Sequence, residues 1–187
     1  MGIEFESKFR ATGEILAQMR QMLPGEEKIF AMETTYYDTP TGDLSAKYYT
    51  LRRRMENEVS VCTLKTPARD HGRNEFEVEC STIEEAIPLL CKLSGIHIPE
   101  NIRPVCGAKF TRIAKTLSLS QCTVEVALDQ GVLTGGGKEI PLCEAEVELK
   151  EGSPEAALNY AAQLALAFGL KPERKSKFRR AKDLCER

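Results

Sequence analysis

Glu4, Glu6 and Lys8 stand at alternate positions in the opening stretch Ile3-Glu4-Phe5-Glu6-Ser7-Lys8-Phe9-Arg10, and Glu144, Glu146, Glu148 and Lys150 repeat the pattern far along the chain. Strand side chains point alternately to opposite faces, so each set shares one face. Arg52 and Arg54, Thr63 and Lys65, Arg73, Glu75 and Glu77, Arg112, and Glu125 and Asp129 are in phase on strand-like stretches of their own. Lys and Arg match phosphate oxygens, Arg with a two-pronged fork, and clustered carboxylates match a hard divalent cation. Both together describe a site for a metal-bound polyphosphate. A nucleophilic triad is not supported, because the two histidines, His71 in a turn and His97 near a helix end, have no matching Ser or Cys signature. Gly135-Gly136-Gly137-Lys138 lacks the earlier Gly and the following Ser or Thr of a phosphate loop and reads as a hairpin turn.

The elements that must carry these residues follow from periodicity. Strands are expected over 3–10, 30–37, 48–55, 59–66, 73–80, 109–119, 123–128 and 142–150. Helices are expected from Gly13 to Leu23 after Thr12, from a Ser81/Glu84 capping box to Gly95 with a kink or early stop at Pro88, after Ser153-Pro154, and over the basic tail from Lys171 to Lys182. Polar turns are expected at 38–43 and 67–72. Such hairpins with interspersed helices predict an antiparallel sheet that closes or curls. The amphipathic helices need an apolar face to cover, which puts them outside and turns the charged faces into the lumen. A dry lumen of that charge would cost several kcal/mol per ion, so it must be wet or occupied.

Composition sets the rest. The length fits one domain, 1–187, with a real core. A net charge of −2 gives no field to recruit nucleic acid or an anionic membrane. Neither a twenty-residue apolar run nor a charged-then-apolar leader is present, which predicts a cytoplasmic chain. Seven cysteines, none in a CxxC pair, read as small apolar residues in a reducing compartment.

The stretch Glu4-Phe5-Glu6-Ser7-Lys8 resembles the ExExK signature that opens the CYTH domains, or triphosphate tunnel metalloenzymes. The similarity continues through Tyr37-Asp38-Thr39-Pro40, Leu51-Arg52-Arg53-Arg54, Thr63-Leu64-Lys65, Arg73-Asn74-Glu75-Phe76-Glu77, Glu144-Ala145-Glu146-Val147-Glu148 and Ser176-Lys177-Phe178. The resemblance implies an α+β fold, an eight-stranded antiparallel closed β-barrel with helices outside, acting on triphosphates with Mg²⁺ or Mn²⁺. It implies metal ligands at Glu4, Glu6, Glu146 and Glu148 with Asp129 or Glu125, and a phosphate grip of Lys8, Arg52, Arg54, Lys65, Arg73, Arg112 and Lys177. Glu75 and Glu77 would orient those cations or position water, so Glu4, Glu6, Lys8, Glu75 and Glu77 form the implied catalytic set. One position departs from the family pattern: Phe110 stands two residues before Arg112 where many members have Lys, and Lys109 is out of phase.

The expected activity is metal-dependent hydrolysis of inorganic tripolyphosphate. Adenylyl cyclisation of ATP, hydrolysis of thiamine triphosphate and non-catalytic polyphosphate or nucleotide binding are the alternatives. The sparse aromatics among the charged positions favour an inorganic substrate. The expected partners are that small triphosphate and, as a homodimer, a second copy of the chain.

Overall fold

The computed structural model describes residues 2–68 and 72–186, with backbone alone at 2–4. His71 and the middle of the expected 67–72 turn lie outside the described residues. The opening strand is present but broken at Phe5 into β1 (Gly2–Glu4) and β2 (Glu6–Arg10). Strands β3 (Glu27–Asp38), β4 (Thr50–Glu56), β5 (Val59–Pro67), β6 (Arg73–Glu79), β7 (Arg103–Ser118), β8 (Cys122–Gly135), β9 (Lys138–Gly152) and β10 (Lys171–Pro172) follow. All pair antiparallel in one sheet of order β1-β6-β5-β4-β3-β7-β8-β9-β2-β10.

The eight-stranded closed barrel is therefore corrected. Counting β1 and β2 as one strand leaves nine among the described residues, and the hydrogen bonds among them do not close the sheet. The reason lies at Phe5. Glu4 pairs with Arg73 on β6 at one end of the sheet, whereas Glu6 pairs with Glu148 on β9 at the other. The chain itself spans the seam, and the Phe5 carbonyl still accepts from the Leu149 amide at 2.9 Å. The sheet is brought round by one covalent strand instead of a continuous ladder.

Helices α1 (Gly13–Met22), α2 (Asp43–Ala46), α3 (Ile83–Ser94), α4 (Pro154–Phe168) and α5 (Lys177–Cys185) complete the fold. Thr12 caps α1 as its position predicts, accepting from the Ile15 amide at 3.2 Å. The cap of α3 is Thr82, not Ser81, and the helix runs through Pro88 to Ser94, losing only the bond that Pro cannot donate. The basic tail splits: β10 joins the edge of β2, and the helix starts only at Lys177, where Ser176 accepts from the Arg179 amide. Gly136 and Gly137, at φ +57° and +73°, make the two-residue turn between β8 and β9, so the glycine run is a hairpin turn as expected.

Helices α1 and α4 cover the outer faces of β2, β8 and β9 through Phe9, Met19, Val126, Val147 and Leu164. Helix α3 covers β5 and β6 through Leu64, Phe76, Ile83 and Leu90. A third apolar cluster is internal: Met32, Tyr36, Phe110 and Leu142 share the inward face with the charged residues, and Phe178 and Ala181 of α5 pack on them. The lumen is thus part charged cavity and part apolar core, where alternation alone predicted charge throughout.

One buried cation is structural. Lys115 on β7 is 7% exposed, and its ammonium donates to the Arg20 and Leu23 carbonyls at 2.8 and 2.7 Å, closing the C-terminal end of α1. Lys115→Met leaves both carbonyls without that donor. We expect a loss of about 2 kcal/mol, read as a fall in Tm of roughly 4–8 °C.

Candidate active site

The inward faces of the strands enclose a cavity of about 340 Å³. Its walls are segregated by strand. Strands β4, β5 and β6 bring Arg52, Arg54, Lys65, Arg73, Glu75 and Glu77, while β2, β8 and β9 bring Glu6, Lys8, Glu125, Glu146 and Glu148. Arg112 of β7 and Lys177 at the first turn of α5 also line it, beside the apolar Phe30, Met32, Tyr36 and Phe178. Every predicted site residue but two therefore meets in one cavity. The Glu4 side chain lies outside the described residues. Asp129 faces inward but is wholly buried behind the lining.

Register explains the acidic wall. Glu6, Glu148 and Glu125 are direct cross-strand neighbours on β2, β9 and β8. Carboxylates in such a row repel one another unless a cation lies between them. Lys150 meets Glu148 at 2.9 Å and Glu125 at 3.7 Å, and Lys8 meets Glu6 at 2.6 Å. The three carboxylates keep 22–27% of their side-chain surface open to the cavity.

A second group of acids lies deeper. Carboxylate oxygens of Asp129, Glu144 and Glu146 lie within 4.8 Å of one another. Three cations answer them. Arg112 forks onto Asp129 at 2.8 and 2.7 Å and also reaches Glu146. Lys177 contacts Asp129 at 2.8 Å, Glu146 at 2.7 Å and Glu144, while Arg180 pairs with Glu144. Burial pushes the Glu144 carboxyl up to about 7, against the pull of Lys177. Burial alone would raise Glu146 too, but Lys177 and Arg112 hold it well below the usual carboxylate range. Conversely, burial would lower Lys177 and Arg112, and the carboxylates around them raise both. The group is charge-balanced without any metal.

The basic wall is not balanced in this way. Arg54 is 7% exposed, and its contacts are long: Thr34 Oγ1 at 3.3 Å and Glu56 at 3.5 Å. Burial, with Arg52 and Arg112 nearby, lowers its guanidinium to about 10. Arg52 reaches Glu75 at 3.4 Å and Glu77 at 3.9 Å, and its buried Nε has no hydrogen-bond partner among the described residues. Lys65 pairs with Glu75 at 3.1 Å. Arg73 lines the cavity while donating to the Tyr48 carbonyl at 2.8 Å and the Lys65 carbonyl at 3.2 Å. Underpaired buried guanidinium groups of this kind suit an anion.

Sequence reasoning missed Glu144, Arg180 and Lys150 as site residues. The signals were present: Glu144 and Lys150 continue the alternation of Glu146 and Glu148, and Arg180 lies three residues beyond Lys177 on the same helical face. Lys109 points outward, with three quarters of its side chain exposed, as its phase predicts. Phe110 fills the inward position, 5.4 Å from the Lys177 ammonium and 5.9 Å from the Arg112 guanidinium. The Asp38 carboxylate takes the amides of Thr39, Leu44 and Ser45 at 2.8–3.2 Å, so the Tyr37-Asp38-Thr39-Pro40 stretch organises the β3–β4 connection and does not line the cavity.

An inorganic triphosphatase from Haemophilus influenzae is 29% identical over 174 residues, covering 86% of this chain and 49% of that protein. The chain thus spans about half the length of this curated relative. Among solved structures, the PH1819 protein from Pyrococcus horikoshii OT3 matches with a TM-score of 0.65 at 24% identity, covering 98% of both chains. A candidate adenylyl cyclase from Hippeastrum, HpAC1, described as having a dominant triphosphatase activity, matches with a TM-score of 0.67 at 16% identity over 98% of this chain and 96% of its own. At these identities the two structures establish a shared fold. Among the described residues no helix is long and apolar enough to cross a membrane. Residues 2–181 match the CYTH domain, and the chain belongs to that family.

Proposed function

We propose that this protein is a divalent-metal-dependent triphosphatase whose substrate is inorganic tripolyphosphate or a similarly small triphosphate, and that residues 1–187 form one catalytic domain. The observation that carries the proposal is the pairing, across one cavity, of the weakly paired, buried Arg54 and its neighbour Arg52 with the partly open carboxylate row Glu6–Glu148–Glu125. Phosphoryl transfer has a loose transition state with charge on the oxygens, so catalysis is mainly positioning and neutralisation. Arg52, Arg54 and Lys65 would grip the phosphates, with Lys8, Arg73 and Arg112 around them. Glu75 would keep Arg52 and Lys65 aimed, and Glu77 would support Arg52 at longer range. Lys177 would hold the deep carboxylates and, through Glu146, the edge of Arg112.

The donor set fits a hard cation at the carboxylate row better than at the deep group. The row offers oxygen ligands that remain accessible, whereas Asp129, Glu144 and Glu146 are already saturated by Arg112, Lys177 and Arg180. Glu6, Glu125 and Glu148 would therefore hold Mg²⁺ or Mn²⁺, with Glu146 at the inner edge and Glu4 contributing from β1, across the break at Phe5. Such an ion, when bound, neutralises phosphate charge and makes water more acidic.

The test is phosphate release from tripolyphosphate with and without Mn²⁺ or Mg²⁺. We expect metal-dependent release, and expect Glu148→Gln to raise the half-saturating metal concentration 10–100-fold while the protein stays folded. Mn²⁺ should also raise the Tm of the wild type and leave Glu148→Gln unmoved. Release that ignores metal, or a variant that keeps the Mn²⁺ shift, would overturn the metal assignment.

A second reading has one observation in its favour. Strand β3 turns Phe30 and Met32 into the cavity, with Phe30 half-buried there, an apolar surface that a purely inorganic substrate does not use. It suits a triphosphate carrying a flat organic group, such as ATP. Running ATP in the same assay decides the chemistry: phosphate marks hydrolysis, whereas cyclic AMP with pyrophosphate marks cyclisation.

A further inference from the structure

Along the inward face of β9 the side chains open to solvent in one direction: Glu144 has none of its surface exposed, Glu148 27% and Lys150 39%. An ion arriving from that side meets Lys150 before it meets the carboxylate row. The Lys150 ammonium already stands in the row, 2.9 Å from Glu148 of β9 and 3.7 Å from Glu125 of β8. These two acids are register neighbours, so a cation between them relieves their repulsion, and in the free protein that cation is Lys150. Lys8 serves the row differently. It pairs with Glu6 at 2.6 Å and stands opposite Glu146, on the closed side.

We propose that Lys150 is a tethered counter-ion standing where the divalent ion binds, and that the ion must displace it. This rests on the assignment of the metal to Glu6, Glu125 and Glu148 made above. A hard divalent ion needs carboxylate oxygens in direct contact, whereas an ammonium brings N–H donors and a like charge, so the two cannot share Glu148 and Glu125. Lys150 is able to yield. Its four-carbon stem is flexible and its head lies at the open side, so it can turn out to water while β9 stays in place. Lys8, held beside the deep carboxylates, has no such exit. The tether therefore has two opposed effects: it steadies the row without metal, and it weakens the binding of a free ion.

Binding of Mn²⁺ to the full chain without substrate, followed by the electron paramagnetic resonance signal of the free ion, tests this apart from turnover. Lys150→Met keeps the stem and removes the charge. It should lower the Mn²⁺ dissociation constant about 10-fold, while the metal-free Tm falls by a few degrees because Glu148 and Glu125 lose the cation between them. Lys150→Arg keeps a cation on the same two carboxylates and should bind Mn²⁺ no more tightly than the wild type. In the wild type, saturating Mg²⁺ should speed acylation of Lys150 by an N-hydroxysuccinimide ester, read by peptide mass spectrometry, because the displaced ammonium has left its carboxylates. That readout does not depend on how the variants fold, and acylation indifferent to Mg²⁺ would overturn the proposal. If Lys150→Met binds Mn²⁺ as the wild type does, or more weakly, the row holds metal without competition from Lys150 and this inference alone falls. If Mn²⁺ binds neither protein, the metal assignment falls with it.

Discussion

Replacing Lys177 with Met should destabilise the protein by about 3–5 kcal/mol, because it leaves buried carboxylates without a cation. Lys177 is 6% exposed, and its three N–H donors go to Asp129, Glu144 and Glu146. The remaining cations, Arg112 and Arg180, already serve the outer edges of the group. At this chain length the loss corresponds to a fall in Tm of roughly 10 °C. Turnover should fall with it, since Glu146 steers Arg112 at the cavity wall. The double variant Lys177→Met with Glu144→Gln distinguishes the two effects. Removing one negative charge together with the positive one should recover most of the Tm. If turnover returns as well, Lys177 acts by holding the carboxylates. If the double variant is stable yet inactive, the ammonium itself meets the phosphate. A Tm unchanged in the single variant would contradict the account of the group as a balanced ionic cluster.

Much of this arrangement is legible in the chain. Period-two alternation of Glu6 and Lys8, Glu146 and Glu148, or Arg52 and Arg54 is forced by strand geometry, and it places those residues on inward faces without knowledge of the neighbours. Caps at Thr12 and Ser153 are local, and a short polar side chain before a helical run suffices to find them. Pairing is not local. Whether the sheet closes depends on Glu4 meeting Arg73 while Glu6 meets Glu148, a change of partner across one residue that no pattern within the strand encodes. The same limit separates Glu144 from Glu148. Both sit on one face of β9, but Glu144 lies beneath α5, where Lys177 and Arg180 neutralise it, and Glu148 stays open to the cavity. Four residues along one strand divide a structural ion pair from a candidate metal ligand, and only the packing of a helix 30 residues further on decides which is which.

Arg54 should behave in the opposite way to Lys177, and the contrast tests the division of the cavity into a balanced and an unbalanced part. Arg54→Met is expected to leave stability unchanged or to raise Tm by a few degrees, while turnover of a triphosphate falls about 10²–10³-fold, the usual loss for a group that neutralises charge in the transition state. The sign follows from its surroundings. A guanidinium lowered to about 10 from its ordinary value is one whose charged form folding disfavours, and the cost is fully present below pH 10. A shift of that size corresponds to roughly 3 kcal/mol. Met removes that cost and fills similar space, while Thr34 loses only a long 3.3 Å contact. On the proposed function, a bound polyanion would reverse that unfavourable charge. Tripolyphosphate should therefore raise the Tm of the wild type by several degrees and move Arg54→Met much less, since a ligand at a hundred times its Kd adds about 2.7 kcal/mol and a variant that no longer binds gains nothing. A variant that is strongly destabilised without ligand would mean that Arg54 is adequately paired in the free protein, and the basic wall would lose its claim to be an anion site.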